Sequence, residues 1–289
     1  MAPHAASTND ADTVPSSVLQ LGKIESKAGQ EPQAIDEPRS KRGLWPWLNE
    51  SIREDLYLEI QLLLLAFGTG IQDACTYPDY SCFASNQTGN TVLLAIGVSG
   101  LAPNAFSFPN IAISLSLFVL GGWAAGQVGN AVGPRRRLWL MVSSLLQTAM
   151  VWAAVAIQYT VPVRKSGAAS YVVLSLLAFS SAAQVAMARS LKITEITTAM
   201  ATAAYVDLLI DPDLYRPKNR SRNRRAIFLV MLAGGSFAGA FANRAVDSAF
   251  ALMIAAAVKT VAMIGLAFNK PMQREDLDKM TQDDILMLG

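Results

Sequence analysis

The residues that could do chemistry are polar groups set into long apolar runs. Thr88-Gly89-Asn90 opens the apolar stretch from Thr91 to Val98. The start of such a helix presents unpaired N–H groups and the positive end of its dipole, which favour an anion or a carbonyl oxygen. Gly89 would let a ligand come close to the backbone. An ordinary helix cap made by Thr88 or Asn90 explains the same triplet. Asp73, next to Gln72, stands near the end of an apolar run and suits a cation, a proton or a polar solute; a wetted helix end is the plainer reading. Glu195, Thr197 and Thr198 fall in a second polar interruption and complete the candidate binding set. Lys259 lies deep in the run from Ser248 to Phe268. A lysine there is expected to pair with a carboxylate such as Asp73 or Asp207, or to reach an interface with its long stem.

Absences narrow the chemistry. The one histidine is His4, outside every apolar run, so neither an HExxH zinc site nor a Ser–His dyad can form within those runs. No GxSxG elbow and no GxxxxGK[ST] loop occurs. The expectation is a protein that is not an enzyme, with no catalytic residue, metal site or cofactor. Its basic segments lack the aromatic interleaving of a nucleic-acid surface and read as topology determinants that touch anionic lipid.

The elements that must hold these residues are membrane helices. The chain is 52% hydrophobic and 16% charged, where soluble domains carry about a quarter charged residues. Six runs, 57–76, 110–132, 138–161, 168–188, 226–246 and 248–268, approach the roughly 20 residues that span a bilayer. Those from Asn110 to Val132, Leu138 to Val161 and Ala168 to Ala188 contain no Asp, Glu, Lys or Arg. Buried helices of a soluble core usually keep a polar stripe, so the fold class is an all-α integral membrane protein. Residues 1–50, rich in Pro, Ser and acidic groups, read as a disordered cytoplasmic tail without the features of a secretory signal. The first run then serves as the insertion signal. Residues 51–269 form the membrane domain and 270–289 a second cytoplasmic tail.

Lysine and arginine in short loops fix orientation. Arg135-Arg136-Arg137 and the segment Arg216 to Arg225 both belong in the cytoplasm, while Arg164-Lys165 competes. Two weaker apolar segments, 83–101 and 190–210, decide the count. If both crossed, the two basic segments could not share a side. Each is therefore expected to re-enter, giving six spans, two broken half-helices and two cytoplasmic termini.

An internal repeat agrees. Leu65-Ala66-Phe67-Gly68-Thr69-Gly70-Ile71-Gln72 resembles Leu177-Ala178-Phe179-Ser180-Ser181-Ala182-Ala183-Gln184, and Gly121-Gly122-Trp123 resembles Gly234-Gly235-Ser236. The repeats cover 56–161 and 168–268. With three spans each, the second must be inverted, an architecture common in secondary transporters. Within it, Thr197-Thr198-Ala199-Met200 takes the place of Gln87-Thr88-Gly89-Asn90. Gly122 with Gly126, and Gly235 with Gly239, allow close helix approach. Packing between the repeats is preferred over a homo-oligomer face. Cys75 and Cys82 form either a disulfide or two free thiols.

Gly70-Ile71-Gln72-Asp73-Ala74, followed by Phe83-Ala84-Ser85-Asn86-Gln87-Thr88-Gly89-Asn90, resembles the signature of the YoaK-like membrane family, domain of unknown function 1275. The proline-rich tail and the basic segment near Arg220 look like those of a fungal member. The resemblance implies a multi-pass membrane protein and supplies no substrate. Two functions stand: a secondary transporter of a small polar or anionic solute, and a non-transporting scaffold or assembly factor with a dry interior.

Overall fold

The computed structural model describes residues 43–101 and 107–273. The expected tails up to residue 42 and from residue 274 onward lie outside the described residues, as does His4. Nine helices follow along the described chain: α1 (Leu44–Asn49), α2 (Leu56–Tyr80), α3 (Gln87–Val98), α4 (Phe108–Val132), α5 (Arg137–Thr160), α6 (Ala168–Ser190), α7 (Ala201–Leu209), α8 (Arg220–Ala245) and α9 (Ser248–Leu266). No strand occurs among the described residues.

Local chemistry sets several boundaries. The Asp55 carboxylate accepts the Leu58 N–H at 3.0 Å and starts α2. Asn219 accepts the Arg222 N–H at 2.9 Å and starts α8, and Asp247 accepts the Phe250 N–H at 2.7 Å and starts α9. Each satisfies one donor that the first helical turn leaves unpaired. Between α4 and α5 the chain reverses through Gly133, whose φ of 114° suits glycine alone.

Five helices, α4, α5, α6, α8 and α9, are long and apolar enough to cross a membrane. The expected first span lies in α2, which is 25 residues long but carries Gln61, Gln72, Asp73 and Asp79. Its polar groups face inward: Gln61, Thr69 and Gln72 are all buried. α2 runs through the centre of the bundle, and a central helix does not need an apolar surface on every side.

The ends of the helices give the course of the chain. At one end the Ile52 N–H donates to the Arg135 carbonyl at 2.9 Å and the Arg53 N–H to the Lys270 carbonyl at 3.0 Å. Arg135 also donates to the Leu191 carbonyl. The start of α2, the α4–α5 loop and the ends of α6 and α9 therefore meet at this basic end. At the other end Asn110 Nδ2 donates to the Tyr80 carbonyl at 2.8 Å and the Lys165 carbonyl at 2.7 Å. There α2 ends, α4 begins, α5 ends and α6 begins. Arg164-Lys165 lies at that second end. Neither α3 nor α7 crosses: their 12 and 9 residues are too few for about 30 Å of hydrocarbon at 1.5 Å per residue. Both re-enter, as the sequence predicts.

Packing shows the repeat. α2 lies against α8 and α9, while α6 lies against α4 and α5; α3 rests on α4, and α7 on α8. Exchanging α2 with α6, α3 with α7, α4 with α8 and α5 with α9 turns these contacts into one another. Glycines mark the same relation. A Cβ on Gly121 would sit 2.8 Å from the Phe179 carbonyl oxygen, and one on Gly235 would sit 2.0 Å from that of Phe67. Gly121 thus corresponds to Gly235, one position along from the sequence match with Gly234. That match paired small residues by identity, whereas close backbone approach selects the glycine at the crossing point.

Gly235 and Gly239 of the GxxxG pair are consumed inside the protein, against Phe67 and Ile71 of α2, whereas a Cβ on Gly126 would meet nothing within 4 Å. Val119, Leu120 and Trp123 on α4, and Val230 and Phe241 on α8, are exposed and give the bundle the apolar exterior of a membrane protein. Cys75 and Cys82 are both buried and free.

Candidate functional site

The signature around Asp73 and Asn90 folds into a clamp. Asp73 Oδ1 accepts the N–H groups of Ala84 at 3.1 Å and Ser85 at 2.9 Å, and Oδ2 accepts the Ser85 hydroxyl. Asn90 grips Phe83 from both sides: its Oδ1 accepts the Phe83 N–H at 2.9 Å and its Nδ2 donates to the Phe83 carbonyl at 2.7 Å. Ser114 of α4 donates to the same carbonyl at 2.7 Å. Asn86 caps α3 by accepting the Gly89 N–H at 3.2 Å. A Cβ on Gly89 would lie 3.0 Å from the Phe83 ring, so the glycine makes room for that ring. Non-helical backbone at membrane depth must satisfy its polar groups within the protein. The side chains of this motif do so for Phe83, Ala84 and Ser85.

The second half-helix starts differently. Thr197 Oγ1 donates to the Met200 carbonyl at 2.9 Å and accepts the Met200 N–H at 3.2 Å. Thr198 is fully buried with a φ of 62°, a left-handed conformation rare for a β-branched residue, and its hydroxyl has no partner. Helix α7 begins at Ala201, so Thr202 stands second in α7 as Thr88 stands second in α3. The expected match of Thr197-Thr198 with Thr88 is displaced by four residues.

These two starts share one cavity of about 880 Å³. α2 contributes Gly70, Asp73 and Tyr77, the first re-entrant segment Phe83, Asn86, Thr88 and Gly89, the second Met200 and Thr202, and α8 Ser236 and Phe237. Of the residues expected from the sequence, Asp73, Thr88 and Gly89 line the cavity. Asn90 lies behind it and is fully buried. Glu195, Thr197 and Thr198 do not line it. Glu195 belongs to the basic end, where its carboxylate accepts the Ser221 hydroxyl at 2.8 Å and pairs with Arg224 at 3.4 Å. Burial alone would raise its pKa, but the Ser221 hydrogen bond and the charges of Arg224 and Arg225 outweigh burial and hold it below the ordinary glutamate value. Glu59 likewise pairs with Arg220 and Arg224 and is only slightly exposed.

Lys259 has no carboxylate partner among the described residues. Its ammonium nitrogen donates to Gln184 Oε1 at 2.7 Å and Ser180 Oγ at 3.3 Å, and the residue is 3% exposed. Asp73 is taken up by its own loop, and Asp207 stands on the exposed face of α7. The expected ion pair is therefore replaced by neutral acceptors on α6.

Sequence reasoning passed over Thr202, Asn86 and Ser236. Thr202 precedes the apolar stretch Ala203 to Leu209 as Thr88 precedes its own, and that was the available signal. Asn86, three residues before Gly89, carried the cap pattern. Nothing in the sequence marked Ser236, which reaches the cavity because α8 lies against α2 there. The lining holds no lysine or arginine, and the carboxylate of Asp73 is already satisfied three times over. What the cavity offers a ligand is the hydroxyls of Thr88 and Thr202, the Asn86 side chain and aromatic walls from Tyr77, Phe83, Tyr205 and Phe237.

Comparison with curated proteins and with solved structures finds no match. A family profile described as "protein of unknown function (DUF1275)" matches residues 61–265, a stretch that contains the clamp, both re-entrant segments and the cavity. The chain belongs to the DUF1275 family.

Proposed function

We propose that the protein is a secondary transporter for a small polar or anionic solute, which binds in the cavity between the starts of α3 and α7. The observation that carries this reading is the meeting of two re-entrant half-helices, one from each inverted repeat, in a single cavity of about 880 Å³. Pockets built from paired broken helices are characteristic of inverted-repeat transporters, and the volume suits a small-molecule site. Thr88 and Thr202 supply hydroxyls, and the first turns of the two helices supply N–H groups at their positive ends.

The basic end, with Arg135, Arg136, Arg220 and Arg222, faces the cytoplasm in this reading by the distribution of positive charge. Purified protein in liposomes, screened for solute-dependent proton or sodium flux, tests the proposal. Thr88→Val and Thr202→Val should reduce flux while leaving the fold intact, because both side chains are exposed in the cavity and neither makes a hydrogen bond that holds the clamp. Flux that is absent for every solute class from folded protein would reject it. The scaffold reading requires a dry, closed interior, and the cavity favours the transporter.

A further inference from the structure

A second cavity, of about 610 Å³, opens at the basic end between the starts of α2 and α8. Its floor is charged and its walls are apolar. Leu56 and Leu63 of α2 and Ile227 of α8 line one part, and Lys218, Asn219, Arg220 and Asn223 line the other. Leu56 is 67% exposed and Ile227 48% exposed. The only carboxylate in the lining is Glu59, which already pairs with Arg220 and with Arg224 at 2.8 Å. Arg224 is further held by Glu54 and Glu195. Lys218 is exposed and has no carboxylate partner among the described residues, and the Arg220 side chain is 63% exposed. Arg220 and Arg224 thus share Glu59, Glu54 and Glu195, and Lys218 is the cation of the lining that no carboxylate compensates among the described residues.

Its depth is that of a membrane interface. Leu56 and Arg220 are the first residues of their helices, and Trp45 of α1 at the same end is 68% exposed, as in an interfacial aromatic belt. We propose that this groove binds an anionic phospholipid, with the headgroup phosphate between Lys218 and Arg220 and the upper part of an acyl chain along Leu56, Leu63 and Ile227. A free phosphate would use the basic half alone and leave the apolar wall exposed. A zwitterionic lipid would bring its own cation up to Lys218, which has no carboxylate partner to release. Basic pockets between helices on the cytoplasmic side are a recurrent answer to acidic headgroups. The inference rests on the membrane fold and is independent of the transport reading.

The test uses the full-length protein purified in detergent and offered equal amounts of phosphatidylglycerol and phosphatidylcholine with identical chains. Retained lipid is read by native mass spectrometry. Wild type should retain phosphatidylglycerol in preference. Lys218→Gln should weaken that preference about fivefold, the effect of one basic residue at an anionic surface, and Lys218→Glu should abolish it. Lys218 is exposed, so neither change threatens the fold. Arg216→Gln lies outside the groove, where Arg216 pairs with Asp213 at 3.0 Å, and should leave the preference unchanged. Equal retention of the two lipids by wild type would overturn the proposal. So would an equal loss in Arg216→Gln, which would indicate diffuse surface charge, or complete displacement of the lipid by glycerol phosphate, which would indicate a soluble anion.

Discussion

Gln72 and Gln184 make the same hydrogen bonds in exchanged form. Gln72 Nε2 donates to Ser181 Oγ at 2.7 Å and to the Leu177 carbonyl at 3.4 Å, while Gln184 Nε2 donates to Thr69 Oγ1 at 2.9 Å and to the Leu65 carbonyl at 3.5 Å. Gln72, Thr69 and Leu65 are the repeat counterparts of Gln184, Ser181 and Leu177. Two buried amides thus tie α2 to α6 where these helices meet, and they do so with the two-fold relation that an inverted repeat requires.

The two glutamines should not be equivalent in energy. Gln72→Leu removes hydrogen bonds of a kind worth about 0.6 kcal/mol on average within membranes. Gln184→Leu removes as much and also strips Lys259 of its 2.7 Å acceptor, leaving a buried donor unmatched at a cost of about 1–3 kcal/mol. Unfolding in mixed micelles should show Gln184→Leu as clearly the less stable. Equal losses would mean that Ser180 alone suffices for Lys259.

Glycine substitutions separate packing between the repeats from outward-facing surface. Gly235→Ala drives a methyl against the Phe67 backbone and should cost about 1–3 kcal/mol as overpacking. Gly126→Ala meets open space and should be neutral within about 0.5 kcal/mol, or slightly stabilising through helix propensity. A large loss at Gly126 would reveal a neighbour on that face, as an oligomer contact would provide.

How much of this was legible in the sequence depends on what signalled each part. The re-entrant segments followed from charge alone, because crossing by both would have separated Arg135 from Arg220. The repeat was visible in α2 and α6, where Gln72 and Gln184 are identical. It slipped by one residue at Gly121 and by four at the second half-helix, where small residues and threonines are interchangeable by eye and only packing sets the register. Asp73 and Asn90 stand out in the sequence together with Thr88-Gly89 as binding candidates, and the structure joins them in one clamp. Sequence could not show that both side chains hold residues 83–85, because most of the partners there are backbone groups. The composition of Lys259's surroundings was equally hidden: its acceptors on α6 lie far away along the chain.

Release of the clamp has a convenient reporter in Cys82, which is fully buried in the clamped segment. Asp73→Asn replaces an acceptor oxygen with a donor facing N–H groups, and Asn90→Ala frees the Phe83 N–H and leaves the Phe83 carbonyl to Ser114 alone. Each should raise the rate of maleimide labelling at Cys82 by an order of magnitude or more, while Cys75, packed against Gly239, stays protected. Unchanged labelling would show that the loop is held by other contacts.

Acid should act on the basic end through Glu195. Its folded pKa lies below the ordinary value of 4.5, so the stability it contributes is fully present above that value and is lost as pH falls through the folded pKa. Thermal unfolding of wild type and Glu195→Gln should differ at pH 7, with wild type the more stable, and converge in strong acid. A difference that persists at low pH would contradict the assignment.

The proposal that the two half-helices meet in one water-filled cavity is tested most directly by cysteine accessibility in membrane vesicles. Thr88→Cys and Thr202→Cys, introduced singly and together after replacing Cys75 and Cys82 with serine, are exposed to a membrane-impermeant thiol reagent and then to a short bifunctional linker. Both positions should react with the impermeant reagent, and the double variant should cross-link within one chain. Protection of both positions together with failure to cross-link would mean a dry interior with separated half-helices, and the shared binding site would have to be abandoned.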